Sequence, residues 1–356
     1  MVLVICETPT KTLFDREESE SEVAVIPVVN VEGHLRGNAL ATSAAAAQIR
    51  EALENVGFFY LVGHGIDWGL VDQMYGEARR FHSLSKELKT ELLGSPDVTG
   101  YIPIRASTSR ASGIGGKNRK ANLVAGFGVN REYAKGQAPR FASGAVPERV
   151  AWPAERTLPG FRFRVTHYCR MMNDLGQRLL PLYAVALGLR PDHFLDDFAD
   201  AMWSFRLSHY PPADAEDEQW GLAPHTDGGF LTFLPDNTIP ALEIRPAGQC
   251  EWVPAPSIPR AFLVNAGDAL HRWTNGRFLS TEHRVLPSEA CDRYALPFFF
   301  GPNATARIEP LVTAGRPRSE PDWPPIAYGE YYLWFSKQNY DSYAAVERLD
   351  SKGAEE

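Results

Sequence analysis

The chain has 356 residues, of which 44% are hydrophobic and 22% charged, and its formal net charge at pH 7 is −8. This composition is typical of a globular protein with one large or two ordinary domains. The negative charge argues against nucleic acid and against an anionic membrane as partners, because both require an electropositive surface. A small molecule is therefore the expected partner.

The cysteines and the apolar runs indicate the compartment. The four cysteines lack the Cys-x-x-Cys spacing of a zinc site or a redox pair, which favours free thiols in a reducing compartment; they are Cys6, Cys169, Cys250 and Cys291. No run approaches the roughly 18 apolar residues of a membrane helix, and residues 1–6 lack the basic leader of a signal peptide. We expect a cytoplasmic protein.

The first part of the chain predicts a mobile lead-in followed by alternating strands and helices. Residues 7–22 are polar and rich in Glu and Ser, so we expect residues 1–22 to form a mobile lead-in. Residues 25–29 predict a strand, and Asn38 can cap a helix that ends before Gly57. A buried strand over residues 58–62 should follow, then a helix over residues 68–81 and a shorter one after Ser85. We assign residues 23–150 to this N-terminal region.

Residues 94–160 are rich in Gly, Pro, Ser and Ala and predict loops. Between Asp97 and Glu132 the chain has no acidic residue and carries six basic ones, namely Arg105, Arg110, Lys117, Arg119, Lys120 and Arg131. Such a basic loop could cover a site and attract an anionic group, although a solvated loop would have the same composition. Apolar residues spaced by three or four over residues 158–188 predict a long helix, which we expect to back a sheet within residues 151–200.

From residue 203 onward short apolar strands replace the helical pattern. Strands are predicted over residues 203–210, 230–234, 241–245, 261–265, 279–286 and 293–300, with a hairpin turn at Asn275-Gly276. Repeated short strands with turn residues between them indicate a sandwich or jelly roll. The predicted fold is mixed α/β and mainly β: a distorted double-stranded β-helix (jelly roll) core over residues 201–305, with N-terminal and backing α-helices.

One constellation of residues suggests metal chemistry. His225 and Asp227 are two apart, so on an extended chain their side chains point the same way and can reach one ion. His283 lies in a β-branched, alternating stretch that can bring a third ligand from another strand. Two imidazoles and one carboxylate hold Fe(II) on one face and leave about three positions open. Arg293 opens an apolar strand and offers a planar, two-pronged donor for a carboxylate.

Several motifs, in order and spacing, resemble those of the isopenicillin N synthase-like branch of the Fe(II)/2-oxoglutarate-dependent oxygenases. The N-terminal region contributes two, and the C-terminal region contributes the rest. They are Ile26-Pro27-Val28-Val29, Gly57-Phe58-Phe59-Tyr60-Leu61-Val62-Gly63-His64-Gly65-Ile66, His209-Tyr210-Pro211-Pro212, Pro224-His225-Thr226-Asp227-Gly228-Gly229, Asn265-Ala266-Gly267-Asp268, Trp273-Thr274-Asn275-Gly276-Arg277 and His283-Arg284-Val285. The resemblance covers most of the chain. It also implies that an aromatic helix over residues 328–340, within a C-terminal extension of residues 306–356, closes the mouth of the barrel.

The resemblance implies roles for individual residues. His225, Asp227 and His283 would bind Fe(II), and Arg293 would hold the far carboxylate of the co-substrate 2-oxoglutarate with help from Tyr210. Ser208 and Ala295 depart from the family, which commonly has Asn and Ser at these two positions. Each departure could remove a hydrogen bond worth about 0.5–1.5 kcal/mol net. The candidates for substrate contact are Arg206, His271 and Phe299.

The chemistry that the resemblance implies is dioxygen-dependent oxidation of a C–H bond in a small metabolite, with release of succinate and CO₂. The outcome could be hydroxylation, desaturation, epoxidation or ring formation. Three alternatives remain open: an iron oxidase or cyclase of the same branch that uses no 2-oxoglutarate, a non-catalytic small-molecule receptor on a jelly-roll scaffold, and a cupin-like metal isomerase or hydrolase. The basic loop suggests that the substrate carries a carboxylate.

Overall fold

The computed structural model describes residues 26–94, 99–108, 120–133, 138, 149–237, 239–311 and 323–339. The predicted lead-in over residues 1–22 and the basic residues Arg110, Lys117 and Arg119 lie outside these ranges. Among the described residues, no helix is both long and apolar enough to cross a membrane.

Seven α-helices and fifteen strands make up the described structure. The helices are α1 (Glu32–Leu35), α2 (Ala39–Asn55), α3 (Trp68–His82), α4 (Lys86–Thr90), α5 (Phe161–Ala186), α6 (Asp268–Trp273) and α7 (Tyr328–Asn339). The strands are β1 (Val28–Asn30), β2 (Phe58–Val62), β3 (Gly100–Ile102), β4 (Ala125–Asn130), β5 (Met202–Tyr210), β6 (Leu222–His225), β7 (Leu231–Pro235), β8 (Leu242–Arg245), β9 (Val253–Pro254), β10 (Phe262–Ala266), β11 (Glu282–Val285), β12 (Arg293–Ala295), β13 (Phe298–Gly301), β14 (Arg307–Ile308) and β15 (Ile326–Ala327).

Two sheets enclose the region where the candidate site lies. The major sheet has nine strands in the order β1-β2-β10-β7-β13-β5-β4-β3, with β12 paired to β5 beside β13. The minor sheet has the order β6-β11-β8-β9. Strands from the N-terminal region complete the major sheet at both edges: β1 and β2 at one, β3 and β4 at the other.

The helices follow their sequence signals. The Asn38 side chain accepts a hydrogen bond of 3.0 Å from the Ala41 N–H, which caps α2, and Gly57 with φ of 76° turns the chain into β2. The long helix α5 packs on the major sheet. Tyr168 lies 5.0 Å from the Phe205 ring, and a Cβ on Gly176 would come within 2.9 Å of Phe300, so the glycine lets helix and sheet approach closely. The predicted backing helix is confirmed.

Three predictions of local structure were wrong. Residues 100–102 and 125–130 form strands inside the predicted loop region, because β4 pairs with β5 over six positions despite two glycines that lower its intrinsic strand propensity. The predicted strand 293–300 divides into β12 and β13 at Pro297, which has no N–H for the ladder. Asn275 and Gly276 have positive φ as a hairpin turn needs, but they end α6, where the Gly276 N–H donates to the His271 carbonyl.

Candidate metal centre and co-substrate cavity

Two neighbouring strands of the minor sheet bring the predicted metal ligands together. His225 at the end of β6 is directly opposite His283 on β11, and their ring centroids are 4.2 Å apart. Asp227 follows β6, and its Oδ1 lies 3.7 Å from the Nε2 atom of each histidine. One ligand atom from each of the three residues can be chosen so that all lie within 4.8 Å of one another, which is the spacing of donors around a single ion.

Hydrogen bonds fix which nitrogen of each imidazole faces the site. The His225 Nδ1 lies 2.8 Å from the Ala223 carbonyl, and the His283 Nδ1 lies 3.1 Å from the Thr281 carbonyl. A carbonyl accepts only, so each Nδ1 carries the proton and donates it. The Nε2 lone pairs are then directed at Asp227, as metal-binding histidines require.

Two side chains that the sequence analysis did not single out hold Asp227. Thr232 Oγ1 donates to its Oδ2 at 2.6 Å, and Asn265 Nδ2 donates to the same oxygen at 2.9 Å. Oδ1 therefore faces the histidines. Burial alone would raise the pKa of Asp227, but the two imidazoles and these two hydrogen bonds together lower it, so the carboxylate is ionised. Asn265 belongs to a motif carried by the family resemblance, and Thr232 had no sequence signal of its own.

Electrostatics also keep His225 ready to bind a cation. Burial, with a further contribution from the neighbouring His283, lowers the pKa of His225 to about 4. The imidazole is therefore neutral at pH 7 and its Nε2 lone pair is available. Two imidazoles and one carboxylate, all on one side of the site, fit a divalent iron ion.

The floor of the cavity is a row of side chains that crosses six strands of the major sheet. Paired positions in the register give the row Phe58, Asn265, Thr232, Phe299, Ser204 and Asn130, and all six line the cavity. At the metal end of the row, Asn265 and Thr232 hold Asp227, and Phe58 packs edge-on against His283 at 5.5 Å. Phe299 is directly beside Thr232, so the three residues that complete the row, Phe299, Ser204 and Asn130, extend away from the metal site.

The predicted co-substrate residues lie along β5 and β12 in the same cavity. Arg293 pairs with Tyr210, and its guanidinium carbon lies 4.9 Å from the centroid of the tyrosine ring. Arg293 is only 2% exposed, its Nε donates to the Ile239 carbonyl at 3.2 Å, and its Nη1 has no partner among the described residues. Ser208 lines the cavity on the same side of β5 as Tyr210. A buried guanidinium that forms no ion pair with a described carboxylate is suited to an anionic ligand.

The structure brings two of the three predicted substrate residues to the cavity. Arg206 and Phe299 both line it, with the guanidinium carbon 5.9 Å from the ring centroid. The positive charge of Arg206 also contributes to the lowered pKa of His225, so it is close to the metal ligands. The third candidate, His271, is not among the residues that line the cavity: its Nδ1 lies 2.6 Å from the Phe278 carbonyl and its ring packs against Trp323.

Helix α7 covers one side of the metal loop, which is the segment over residues 226–230 that joins β6 to β7 and carries Asp227. Its residues Tyr328, Tyr332, Leu333, Phe335, Ser336 and Asn339 line the cavity. A Cβ on Gly228 would come within 2.9 Å of the Phe335 ring, so the glycine after Asp227 lets the ring lie on the loop. The Tyr331 hydroxyl is 3.1 Å from the Asp268 carboxylate, which also accepts a hydrogen bond from Thr226. The helix is thereby tied to the loop that carries the ligands.

Two other histidines of the motifs quoted above are not among the residues that line the cavity. His209 faces away from the cavity, stacks on Tyr294 with ring centroids 4.8 Å apart, and lies 2.6 Å from an Asp292 oxygen. His64 is buried and bonds to the Arg260 carbonyl and the Ile66 N–H, which is a structural role. Alternation along β5 accounts for the orientation of His209.

Both parts of the chain match known protein families. Residues 203–302 match the 2OG-Fe(II) oxygenase superfamily, and residues 26–155 match a family described as non-haem dioxygenase in morphine synthesis N-terminal. The 2-oxoglutarate-dependent dioxygenase citB of Monascus ruber is 32% identical over 306 residues, which are 83% of this chain and 91% of that protein. Gibberellin 3-beta-dioxygenase 1 of Oryza sativa subsp. japonica is 29% identical, over 86% of this chain and 76% of its own length.

Solved structures share the fold. A full-length Neurospora crassa protein in complex with alpha-KG and thymine superposes with a TM-score of 0.76 at 24% identity, covering 89% of this chain and 98% of that one. JOX2 in complex with 2OG, Fe and JA has a TM-score of 0.71 at 26% identity, covering 91% and 88%. The predicted jelly-roll fold with accompanying helices is confirmed. The chain belongs to the 2OG-Fe(II) oxygenase superfamily and is a 2-oxoglutarate-dependent dioxygenase whose His-Asp-His triad fits iron.

Proposed function

We propose that this dioxygenase oxidises an unactivated C–H bond of a small metabolite that carries a carboxylate. In this proposal His225, Asp227 and His283 bind Fe(II), and Arg293 holds the 5-carboxylate of 2-oxoglutarate together with Tyr210 and Ser208. The observation that carries the proposal is the coexistence of three converging metal donors and a buried guanidinium without an ion-pair partner among the described residues of the same cavity.

The protein residues supply placement and charge. When bound, Fe(II) with 2-oxoglutarate and dioxygen supplies the oxidising power, with release of succinate and CO₂. The Thr232 and Asn265 hydrogen bonds hold Asp227 with one oxygen toward the histidines. Arg293 neutralises an anionic ligand in a buried site, where such a pair is strongest. Phe335 and the rest of α7 exclude water from the metal loop, which protects a reactive centre from side reactions.

The position of Arg206 supports an anionic substrate. It lies on the same side of β5 as Ser208 and Tyr210, and its guanidinium is over the Phe299 ring. Phe299 is paired with Thr232, which holds Asp227 by a hydrogen bond. A carboxylate bound to Arg206 would hold the rest of the molecule against the Phe299 ring, beside the metal. The ring supplies apolar contact, and the guanidinium supplies orientation.

The first experiment tests the metal and co-substrate roles together. Metal-free protein would receive Fe(II) and then 2-oxoglutarate without air, and the visible charge-transfer band of the chelate would be titrated. We expect a band in the wild type and, for Arg293→Ala, a loss of 2-oxoglutarate affinity of about tenfold to a hundredfold, as for a charge-assisted hydrogen bond of roughly 1.5–3 kcal/mol. Iron binding without a band in the wild type would contradict the assignment and favour the oxidase alternative.

The substrate class requires a separate readout. A panel of small carboxylic acids and their methyl esters would be screened for stimulation of succinate release. Acids that stimulate the wild type should not stimulate Arg206→Met, while its charge-transfer titration with 2-oxoglutarate should be unchanged. Esters that work as well as their acids, or stimulation that survives in Arg206→Met, would show that Arg206 does not recognise a carboxylate.

A further inference from the structure

The compartment between the metal ligands and Arg293 has apolar walls. Val124, Tyr210, Val285 and Ala295 form a buried cluster there, and the partly buried Leu222, Leu234, Ala241 and Leu242 pack against it. Apart from the Arg293 guanidinium, this end of the cavity therefore offers mostly hydrocarbon surface to a ligand. Such walls accommodate the methylene groups of an aliphatic 2-oxo diacid and set no hydrogen-bond requirement along its chain.

Two of the side chains that line the compartment are small and face one another. Ser208 on β5 pairs with Ala295 on β12, and both are nearly fully buried. On the other side of β5 the neighbour of Ser208 is Gly126, but a Cβ there would come within 3.0 Å of the Arg206 side chain, so that space is already filled. The room for a ligand is therefore along the Ser208–Ala295 pair, next to the anchoring guanidinium.

Arg293 also has space behind it. It lines the main cavity and a second cavity of about 40 Å³, whose other walls include Tyr60, Ile239 and Leu263. A single water needs roughly 10–15 Å³, so the second cavity is larger than one water requires. Within the described residues the guanidinium donates from Nε to the Ile239 carbonyl, and its Nη1 has no partner. One hydrogen bond and the contact with the Tyr210 ring therefore hold the guanidinium, and the second cavity is the space into which it can move.

We propose that the co-substrate compartment also accepts 2-oxoadipate, which is one methylene longer than 2-oxoglutarate. This inference rests on the proposed function, because it requires Arg293 to anchor the far carboxylate. With 2-oxoadipate, the C1 carboxylate leaves as CO₂ and one atom of dioxygen enters the remaining chain, which becomes glutarate. Without substrate, the second oxygen atom is reduced to water by two electrons from added ascorbate with two protons.

The test measures binding of both acids to the same protein. Charge-transfer titration without air gives the dissociation constants of 2-oxoglutarate and 2-oxoadipate, and the rise in unfolding temperature with Mn²⁺ and each acid gives a readout independent of the iron spectrum. A rigid apolar pocket discriminates by roughly 10–200-fold per methylene, and we expect less than about tenfold here. Glutarate release in air with ascorbate should accompany binding.

A larger side chain in place of Ala295, beside Ser208, should restore discrimination between 2-oxoglutarate and 2-oxoadipate. Ala295→Val adds two methyl groups opposite Ser208, and we expect it to raise the ratio of the two dissociation constants by about tenfold; Ala295→Ser is the milder second variant if Val impairs folding. Tyr294→Phe, which alters the neighbouring residue that stacks on His209, is the control and should leave the ratio unchanged. If 2-oxoglutarate binds but 2-oxoadipate gives neither band nor stabilisation, only this inference fails; if neither acid binds, the proposed function fails.

Discussion

Removing the Thr232 hydroxyl tests whether the support of Asp227 sets metal affinity. Thr232→Val keeps the shape of the side chain but deletes the donor that lies 2.6 Å from the Asp227 Oδ2. The added valine methyl would occupy the position of the hydroxyl in this buried contact, so no water could take its place between the two side chains. Asn265 would remain as the only described side chain that donates to this oxygen. Asp227 would then be freer to rotate away from the histidines.

The expected size of the effect follows from the kind of bond. A hydrogen bond to a charged acceptor contributes roughly 1.5–3 kcal/mol, which corresponds to about tenfold to 150-fold in an equilibrium constant. Loss of a residue that supports a metal ligand costs about 10–100-fold in metal affinity, which agrees with that range. We therefore expect Thr232→Val to weaken metal binding by about tenfold to a hundredfold.

The assay is competition for Mn²⁺ or Fe(II) with a chelator of known affinity, without air for iron. Thr226→Val is the matched control: Thr226 lies between two of the ligands, yet its hydroxyl donates to Asp268 and not to Asp227. It should change metal affinity by less than about threefold, since no bond to a metal ligand is lost. A folded Thr232→Val protein that binds metal as tightly as the wild type would refute the reasoning.

Two further predictions concern packing and pH. Gly228→Ala places a methyl group 2.9 Å from the Phe335 ring, so α7 should shift at a cost of about 1–3 kcal/mol, and trypsin should cut sooner after Lys337. The control is Gly76→Ala in α3, where nothing lies within 4 Å, and it should not change the rate of cleavage. Equal rates in the wild type and both variants would contradict this packing. Burial lowers the pKa of His82 from 6.5 to about 3, so the folded protein keeps it neutral and the unfolded chain takes up a proton. The free energy of unfolding should fall as the pH drops from 6.5 toward 3, by up to roughly 5 kcal/mol from this residue at 1.36 kcal/mol per pKa unit, and the fall should be smaller in His82→Gln when denaturant midpoints are compared across pH.

Local signals in the sequence were sufficient for much of the helical structure. Asn38 and Gly57 bound α2 because capping and left-handed turns depend on one or two side chains, and the apolar spacing of α5 reflects a single helix face. Local signals failed at β4, whose glycines conceal a strand that exists because β5 pairs with it. They also failed at Asn275-Gly276, where the backbone conformation was right and the neighbouring element was a helix.

By itself the sequence determined the identity of the candidate metal ligands, since the two-residue spacing of His225 and Asp227 and the flanking motifs are properties of the chain. Tertiary structure decided which residues serve those ligands. Thr232 and Asn265 meet at one carboxylate oxygen only because β7 and β10 are neighbours in the sheet, and His271 is kept from the cavity only because α6 turns it toward Trp323. Contacts between residues distant in sequence depend on strand order and register, and no local pattern encodes them.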